Sequence, residues 1–311
     1  MRVDWMEGMD NGPALVPAGA RAGLVPSSMP APRSSSTAPA SSASSAPSPN
    51  QVAGTASFSK FMHVLQLVAD AQEPVNVAAL MRASGYPRPT VHRIVAALIA
   101  ERLLVENPHS ATLGLGPRLI QLASRSWGRS ELRLAAVDEL KRLRDLTGET
   151  VHLAVPNDTT MVYIEKLESP SAVRMASRIG TSVSLHATAV GKAYMAALDD
   201  GALKALVKRL PMPRYTPNTT VDAAALRAEV QKTRERGWSV DNEENEAGIF
   251  CFGAVIRGVG GVPVAAISVS TLVFRQKEDP AQAYVAPLLE ACRVISERIA
   301  QTPSLSGSDV L

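Results

Sequence analysis

GYPRPTVHRIVAALIAERLL, Gly85 to Leu104, is the stretch whose reading decides the fold. Val91, Ile94, Val95, Leu98 and Ile99 recur at i, i+3, i+4, i+7 and i+8, so they form one apolar stripe on a helix. The other side carries Thr90, Arg93, Ala96 and Ala97, with Arg88 at the helix start. Small side chains let a helix lie close to another surface, and an arginine fork matches phosphate or guanine. Just upstream, NVAALMRAS (Asn76 to Ser84) reads as a short helix capped by its asparagine. Two short helices, a glycine-containing turn and a basic second helix predict a helix-turn-helix whose second helix enters the major groove. Arg88, Thr90, His92 and Arg93 are the candidate DNA contacts. The plainer alternative is an amphipathic helix in a bundle that binds nothing. Downstream, LLVENPHSATLGLGPRL (Leu103 to Leu119) reads as a β-hairpin around an Asn-Pro-His-Ser turn, the wing of a winged helix-turn-helix.

The chain has 311 residues, enough for about two domains. Its charge is unevenly placed. From Ser57 to Arg129 there are eight lysines and arginines against four acids; from Ser130 onward there are 21 against 22. The excess lies with the helix-turn-helix, where phosphate binding needs it, although a surplus this size also arises by chance. No apolar run is long enough to span a membrane, and MRVDWMEGMD does not read as a secretory signal. The two cysteines, Cys251 and Cys292, lie far apart outside any CxxC pattern. That fits a reducing cytoplasm and argues against a structural zinc site. No cofactor or metal ligand set is expected, and the chain is expected in the cytoplasm, on the nucleoid when bound to DNA.

The first 55 residues are rich in Ser, Pro and Ala and predict a disordered tail. The expected organisation is then a winged helix-turn-helix over 56–118, a linker helix over 119–130, an effector-binding domain over 131–302 and a flexible end over 303–311. Ser130 and Gly148 read as the caps of a long helix striped by Leu132, Ala136, Leu140 and Leu143. Strands are expected at Thr150 to Pro156, Met161 to Glu168 and Ala172 to Ser177, with Val151, Leu153 and Val155 pointing inward. Helices follow after His186, from Asp199 and up to Gly237. Paired strands then flank Gly258, Gly260 and Gly261, and a last helix runs from about Asp279 to Ala300. The predicted class is α+β, an antiparallel sheet flanked by helices.

These motifs resemble those of the IclR-type bacterial transcriptional regulators over residues 57 to 301. The matching pieces, in order, are GYPRPTVHR, TLGLGPRL, GETVHLAV, LHATAVGKAYMA, YTPNTTVD, RGWSVDNEENEAGIFCFGAVIR and VAAISVS. The chain departs from the pattern at Phe250 and Phe252, at Gly258 where an acid or amide is usual, and at Pro89 where serine is frequent. The resemblance implies a winged helix-turn-helix, a linker helix and a C-terminal GAF-like effector-binding domain. It implies homodimers or homotetramers on double-stranded operator DNA that repress or activate genes of carbon catabolism. It implies a small organic-acid effector, no membrane partner and no catalysis.

Thr188 reads as a helix cap with Ala189, Val190 and Gly191 in the first turn. Unpaired N–H groups and the positive end of the helix dipole suit a carboxylate there. By resemblance, the N–H groups of Ala189 and Val190 hold the effector's carboxylate, and the side chains of Asp241 and Cys251 share its pocket. Asp241 would accept from an effector hydroxyl, and Cys251 offers a weak donor and a soft wall. The same features also fit a solvent-facing helix start and a buried core cysteine. Asp241, Glu243, Glu244 and Glu246 also fit a solvated loop, the reading preferred for Glu243 and Glu246. His152 and His186 are further wall candidates, each equally readable as a packed histidine. Two rival functions remain: a constitutive DNA-binding regulator whose pocket is filled by its own side chains, Phe250 and Phe252 above all, and an enzyme built on Cys251 with a histidine base.

Overall fold

The computed structural model describes residues 55 to 301; the tail expected over 1–55 and the end expected over 303–311 fall almost wholly outside them. Helix α1 (Ala56–Asp70) buries Val64, Leu65 and Val68. Helix α2 (Val77–Ser84) begins where the Asn76 side chain accepts from the N–H of Ala79 at 2.9 Å. It ends at Gly85, whose φ of 67° is the left-handed conformation that glycine adopts without strain. Two residues later α3 (Arg88–Ala100) starts, with Pro89 in its first turn. Its buried residues are Val91, Ile94, Val95 and Leu98. They pack with Leu80, Leu104 and Leu113 into one small core. Strands β1 (Leu104–Glu106) and β2 (Leu113–Leu115) pair antiparallel, and Val75 bridges to Leu113, tying the hairpin to the start of the α2 segment. A winged helix-turn-helix is the result.

Helix α4 (Pro117–Arg129) follows, then α5 (Glu131–Thr147), capped by Ser130 and closed by Gly148 at φ 71°. The C-terminal part is built on six antiparallel strands in the order β5-β4-β3-β8-β7-β6. These are β3 (Thr150–Asn157), β4 (Thr160–Leu167), β5 (Ser182–Ser184), β6 (Ser239–Asn242), β7 (Ile249–Arg257) and β8 (Pro263–Leu272). Helices α6 (Ala189–Ala197), α7 (Asp200–Arg209) and α8 (Ala223–Arg236) lie between β5 and β6. A π-turn at Ala281–Val285 leads into α9 (Ala286–Gln301).

Helices cover both faces of the sheet. Val151, Leu153, Val155, Phe250, Phe252, Ile267 and Val269 share a core with α5 and α9. Ala154, Met161, Tyr163 and Ala266 share a second core with α6, α7 and α8. Inward alternation along β3 therefore marks one of two buried faces; His152 and Ala154 are as inaccessible as their neighbours. This double cover is why the strands read as nearly continuous apolar runs.

The strand expected over Ala172–Ser177 does not form. The Lys166 ammonium takes the carbonyls of Met175 at 2.8 Å and Ser177 at 2.7 Å, so neither is available to a sheet ladder. The edge position goes instead to Ser182–Ser184, which pairs with Thr160–Val162.

Candidate functional site

Helix α3 presents Arg88, His92 and Arg93 to solvent, and Thr90 is half-buried. Arg88 Nε donates to His92 Nε2 at 3.4 Å, so these two side chains lie together one helical turn apart. Arg93 and Ala96 lie on the exposed side as well. Tyr86, in the turn before α3, stands edge-on to His63, with its hydroxyl 3.0 Å from His63 Nδ1. Lys60 lies over the same ring at 5.7 Å. This α1 cation beside the turn comes from tertiary contact and has no signal in local sequence.

The second candidate site is a cleft between the sheet and α6. Two glycines bring these elements together. A Cβ at Gly253 would lie 2.6 Å from the Ala189 carbonyl, and one at Gly191 would lie 2.3 Å from the Leu185 carbonyl. Ser239 Oγ donates to the Ala189 carbonyl at 2.6 Å and fixes the docking. Thr188 caps α6, its hydroxyl accepting from the N–H of Gly191 at 3.2 Å. The N–H groups of Ala189 and Val190 have no partner among the described residues. Both residues line a cavity of about 40 Å³ that Asp241 and Cys251 also line. The structure thus brings together all four residues singled out in the sequence, in a place none of them marks alone.

The sheet register explains the rest of the wall. Asp241, Cys251 and Ser270 are cross-strand partners in one row, and Gly253, Ser268 and His152 in the next. Alternation sends these residues to the α6 face and sends Phe250 and Phe252 to the other. There the two phenylalanines pack together with centroids 5.0 Å apart, and Phe252 stacks on Tyr284. They do not fill the cavity. His152 does line it, but His186 does not: His186 is buried against the Pro213 carbonyl at 3.0 Å and stacks on Tyr215. Sequence reading missed Tyr163, Met175, Ser177, Ser268 and Ser270 as lining residues. Serines alternating with Ile and Val in ISVST were the available signal for the last two; Tyr163 offered none.

Burial sets the protonation of these groups. It lowers the His152 imidazole to about 3, helped by the nearby Lys166 charge. It raises the Cys251 thiol well above its usual range, and the Asp241 carboxyl pushes the same way. Asp241 rises to about 7 through burial, against the pull of the Lys192 charge and of the Glu244 N–H. That carboxyl caps its own loop: Asp241 Oδ1 accepts from the N–H groups of Glu244 at 2.8 Å and Asn245 at 3.3 Å. Glu244 is not in a solvated position. It is buried and takes the ammonium of Lys192, which is 1% exposed, at 2.5 Å. Glu246 is exposed at the cavity rim, and Glu243 accepts from the Gly248 N–H at 2.7 Å. Among the described residues no group of three or more His, Cys, Asp or Glu side chains is placed to hold a metal, and no helix is long and apolar enough to cross a membrane.

Known proteins share this domain organisation and fold. Residues 57–108 match the IclR helix-turn-helix domain, and residues 125–297 match the bacterial transcriptional regulator IclR C-terminal domain. The HTH-type transcriptional regulator XynR of Escherichia coli K12 is 31% identical over 219 residues, which cover 70% of this chain and 87% of XynR. The crystal structure of the Thermotoga maritima IclR superposes with a TM-score of 0.62 at 30% identity, over 78% of this chain and 98% of that one. An IclR homologue from Microbacterium hydrocarbonoxydans, solved with 4-hydroxybenzoate, shares the fold with a TM-score of 0.65 at 23% identity, over 78% and 98% of the two chains.

Proposed function

The chain belongs to the IclR family of bacterial DNA-binding transcriptional regulators, and from that premise we propose that it controls a catabolic operon in response to a small organic acid bound between α6 and the sheet. The observation that carries this reading is the pair of unpartnered N–H groups at Ala189 and Val190, residues that line a polar cavity with Asp241 and Cys251. The helix dipole and those two donors favour the acid's carboxylate. On the DNA side, Arg88, Thr90, His92 and Arg93 occupy the start and outer face of α3, where base edges and phosphates are reached.

The family is one of regulators, not enzymes, and the site chemistry supports that. A nucleophilic cysteine needs a lowered pKa or a basic partner. Here burial holds the Cys251 thiol protonated, and the nitrogens of His152 face Ser177 Oγ at 2.8 Å and the Ser268 and Ser270 hydroxyls at 3.4 Å. A constitutive regulator with a self-filled pocket is disfavoured because Phe250 and Phe252 lie on the opposite face of the sheet.

The route from pocket to DNA domain is short. Met175 and Ser177 line the cavity, and Ile179 and Gly180 line a separate groove with Ala123 and Ser126 of α4 and with Arg133 of α5. A ligand that favours one placement of residues 175–180 therefore favours one placement of α4, the differential affinity that switching requires. Ile120 and Leu122 on α4 are 71% and 52% exposed and are the proposed seam of a homodimer, which would read half-sites about 34 Å or a multiple apart. Sedimentation showing a monomer at micromolar concentration, free and DNA-bound, would remove the dimer from this reading. Calorimetry against keto, sugar and aromatic acids, with gel shifts on the upstream promoter, tests the effector. Ala189→Pro removes one cradle N–H at the first helical position, where proline can enter a helix. If both it and Asp241→Ala bind the acid as tightly as the parent, the effector site lies elsewhere.

A further inference from the structure

The turn between α2 and α3 carries an aromatic cluster that the candidate contacts on α3 do not use. Tyr86 is half-buried against the small core of the winged helix-turn-helix. His63 meets its ring edge-on, with centroids 5.6 Å apart and planes at 85°, and the tyrosine hydroxyl lies 3.0 Å from His63 Nδ1. The Lys60 ammonium stands 5.7 Å from the centre of the same ring. Lys60 and His63 are three residues apart on α1 and so share one face of that helix. An aromatic face attracts a cation and narrows the directions a long lysine chain can take. We propose that Lys60 binds a backbone phosphate at the wall of the groove that α3 enters, and that Tyr86 is the positioning residue that holds its ammonium there. The inference rests on α3 being the recognition helix.

Position supports this first. In a helix-turn-helix the N-terminal residues of the second helix meet base edges. Residues just before that helix then stand at the edge of the groove, where the sugar-phosphate strand runs. Tyr86 lies two residues before Arg88, the first residue of α3, and Lys60 of another helix lies beside it. Charge points the same way. Between Ala56 and Arg93 the cations are Lys60, Arg82, Arg88 and Arg93, and the acids are Asp70 and Glu73. Asp70 is at the far end of α1 from Lys60, about 15 Å along the axis, and its carboxylate accepts from Gln66. Glu73 lies beyond the end of that helix. Lys60 has no acidic partner among the described residues, so its charge is uncommitted. A lysine already restrained by a ring loses less freedom when it docks, so Tyr86 strengthens binding without touching DNA. A phosphate contact reads no sequence, so this contribution is made to every duplex.

The test is fluorescence-anisotropy titration of the full-length protein on two duplexes of about three helical turns. One has a mixed sequence and the other comes from the region upstream of its own coding sequence. Lys60 is exposed, so its variants leave the core intact. Lys60→Met should weaken binding to both duplexes and lower the slope of log affinity against log salt by about 0.9. Between about 50 and about 200 mM salt the variant should therefore lose about 3.5-fold less affinity than the parent. Lys60→Arg should restore the slope. Tyr86→Phe keeps the ring and should bind like the parent. Tyr86→Leu should weaken binding, yet in a Lys60→Met background it should cost nothing further, because the ring then has no ammonium to hold. An unchanged slope in Lys60→Met, or a loss confined to one duplex, overturns the phosphate contact. Additive costs of Lys60→Met and Tyr86→Leu overturn the positioning role of Tyr86. Either result leaves α3 as the recognition helix. If the parent binds neither duplex, that assignment falls, and this inference with it.

Discussion

Replacing Asp241 by asparagine should stabilise the protein, and the gain should grow with pH. The Asp241 side chain is 3% exposed, and burial lifts its carboxyl from 3.8 to about 7. A displacement of that size corresponds to about 4 kcal/mol between the two protonation states. In the unfolded chain the group ionises near 3.8, whereas in the folded protein it keeps its proton to about 7. Below 3.8 both forms are protonated and nothing is lost. Above it, stability falls by about 1.4 kcal/mol per pH unit until the folded carboxyl also ionises, and then levels off. Asparagine is neutral throughout and retains an oxygen for the N–H groups of Glu244 and Asn245. The other groups around it, Lys192, Glu244, Glu246, Cys251, Tyr163 and His152, are common to parent and variant, so their contributions largely cancel in the difference. Urea unfolding at a series of pH values should show the variant's advantage widening by about 3 kcal/mol between about pH 5 and about pH 8. A difference that stays flat across that range would refute the argument that burial, rather than its loop contacts, governs this carboxyl.

The same titration should appear in ligand binding. Affinity for the organic acid should fall as pH rises through about 7, where Asp241 loses its proton and repels it, and Asp241→Asn should flatten the profile in calorimetry. Lys192→Met strips the counter-charge from buried Glu244 and should cost about 3–5 kcal/mol in chemical denaturation, most of it recovered in Lys192→Met with Glu244→Leu. Arg93→Ala should weaken operator binding by about 1–3 kcal/mol in gel-shift titration if it reads a base edge, and unchanged affinity in a folded variant would strike it from the contacts.

Local events were legible in the sequence. Asn76, Ser130, Thr188 and Asp199 cap the helices that follow them because a side-chain oxygen needs only the N–H two or three residues on. Gly148 and Gly237 end helices because the left-handed turn is a property of one residue. What the sequence did not disclose depends on distant partners. Ala172–Ser177 has strand-like composition, but Lys166 claims two of its carbonyls from another strand. Glu244 sits among acids that read as a solvated loop. Its burial is set by Lys192, 52 residues earlier, and by the Thr216 and Thr219 hydroxyls that bond the adjoining carbonyls. Tyr163 looks like any strand aromatic until the sheet places it opposite Asp241 and Cys251.

These distant contacts leave the pocket's own groups almost uncharged. The thiol and phenol keep their protons, the imidazole lacks one, and the Asp241 carboxyl is neutral below about 7. Two cations lie close by, and each has an acidic partner: Lys192 with Glu244 and Lys166 with Glu168. An arriving anion therefore displaces no resident ion pair and meets oriented donors: two backbone N–H groups at the positive end of α6 and a phenol. In a buried site such fixed dipoles act with little screening. A neutral molecule of the same size gains far less from them. The pocket thus binds by charge first, at the start of α6, and its wall residues Met175, Ser177 and Tyr163 adjoin or belong to the lining of the α4 groove. Tyr163 is part of that connection, since its carbonyl accepts from Gly180 at 2.7 Å and its N–H donates to Thr181 at 3.1 Å. Tyr163 thus lines the pocket and also anchors the end of the segment lying against α4.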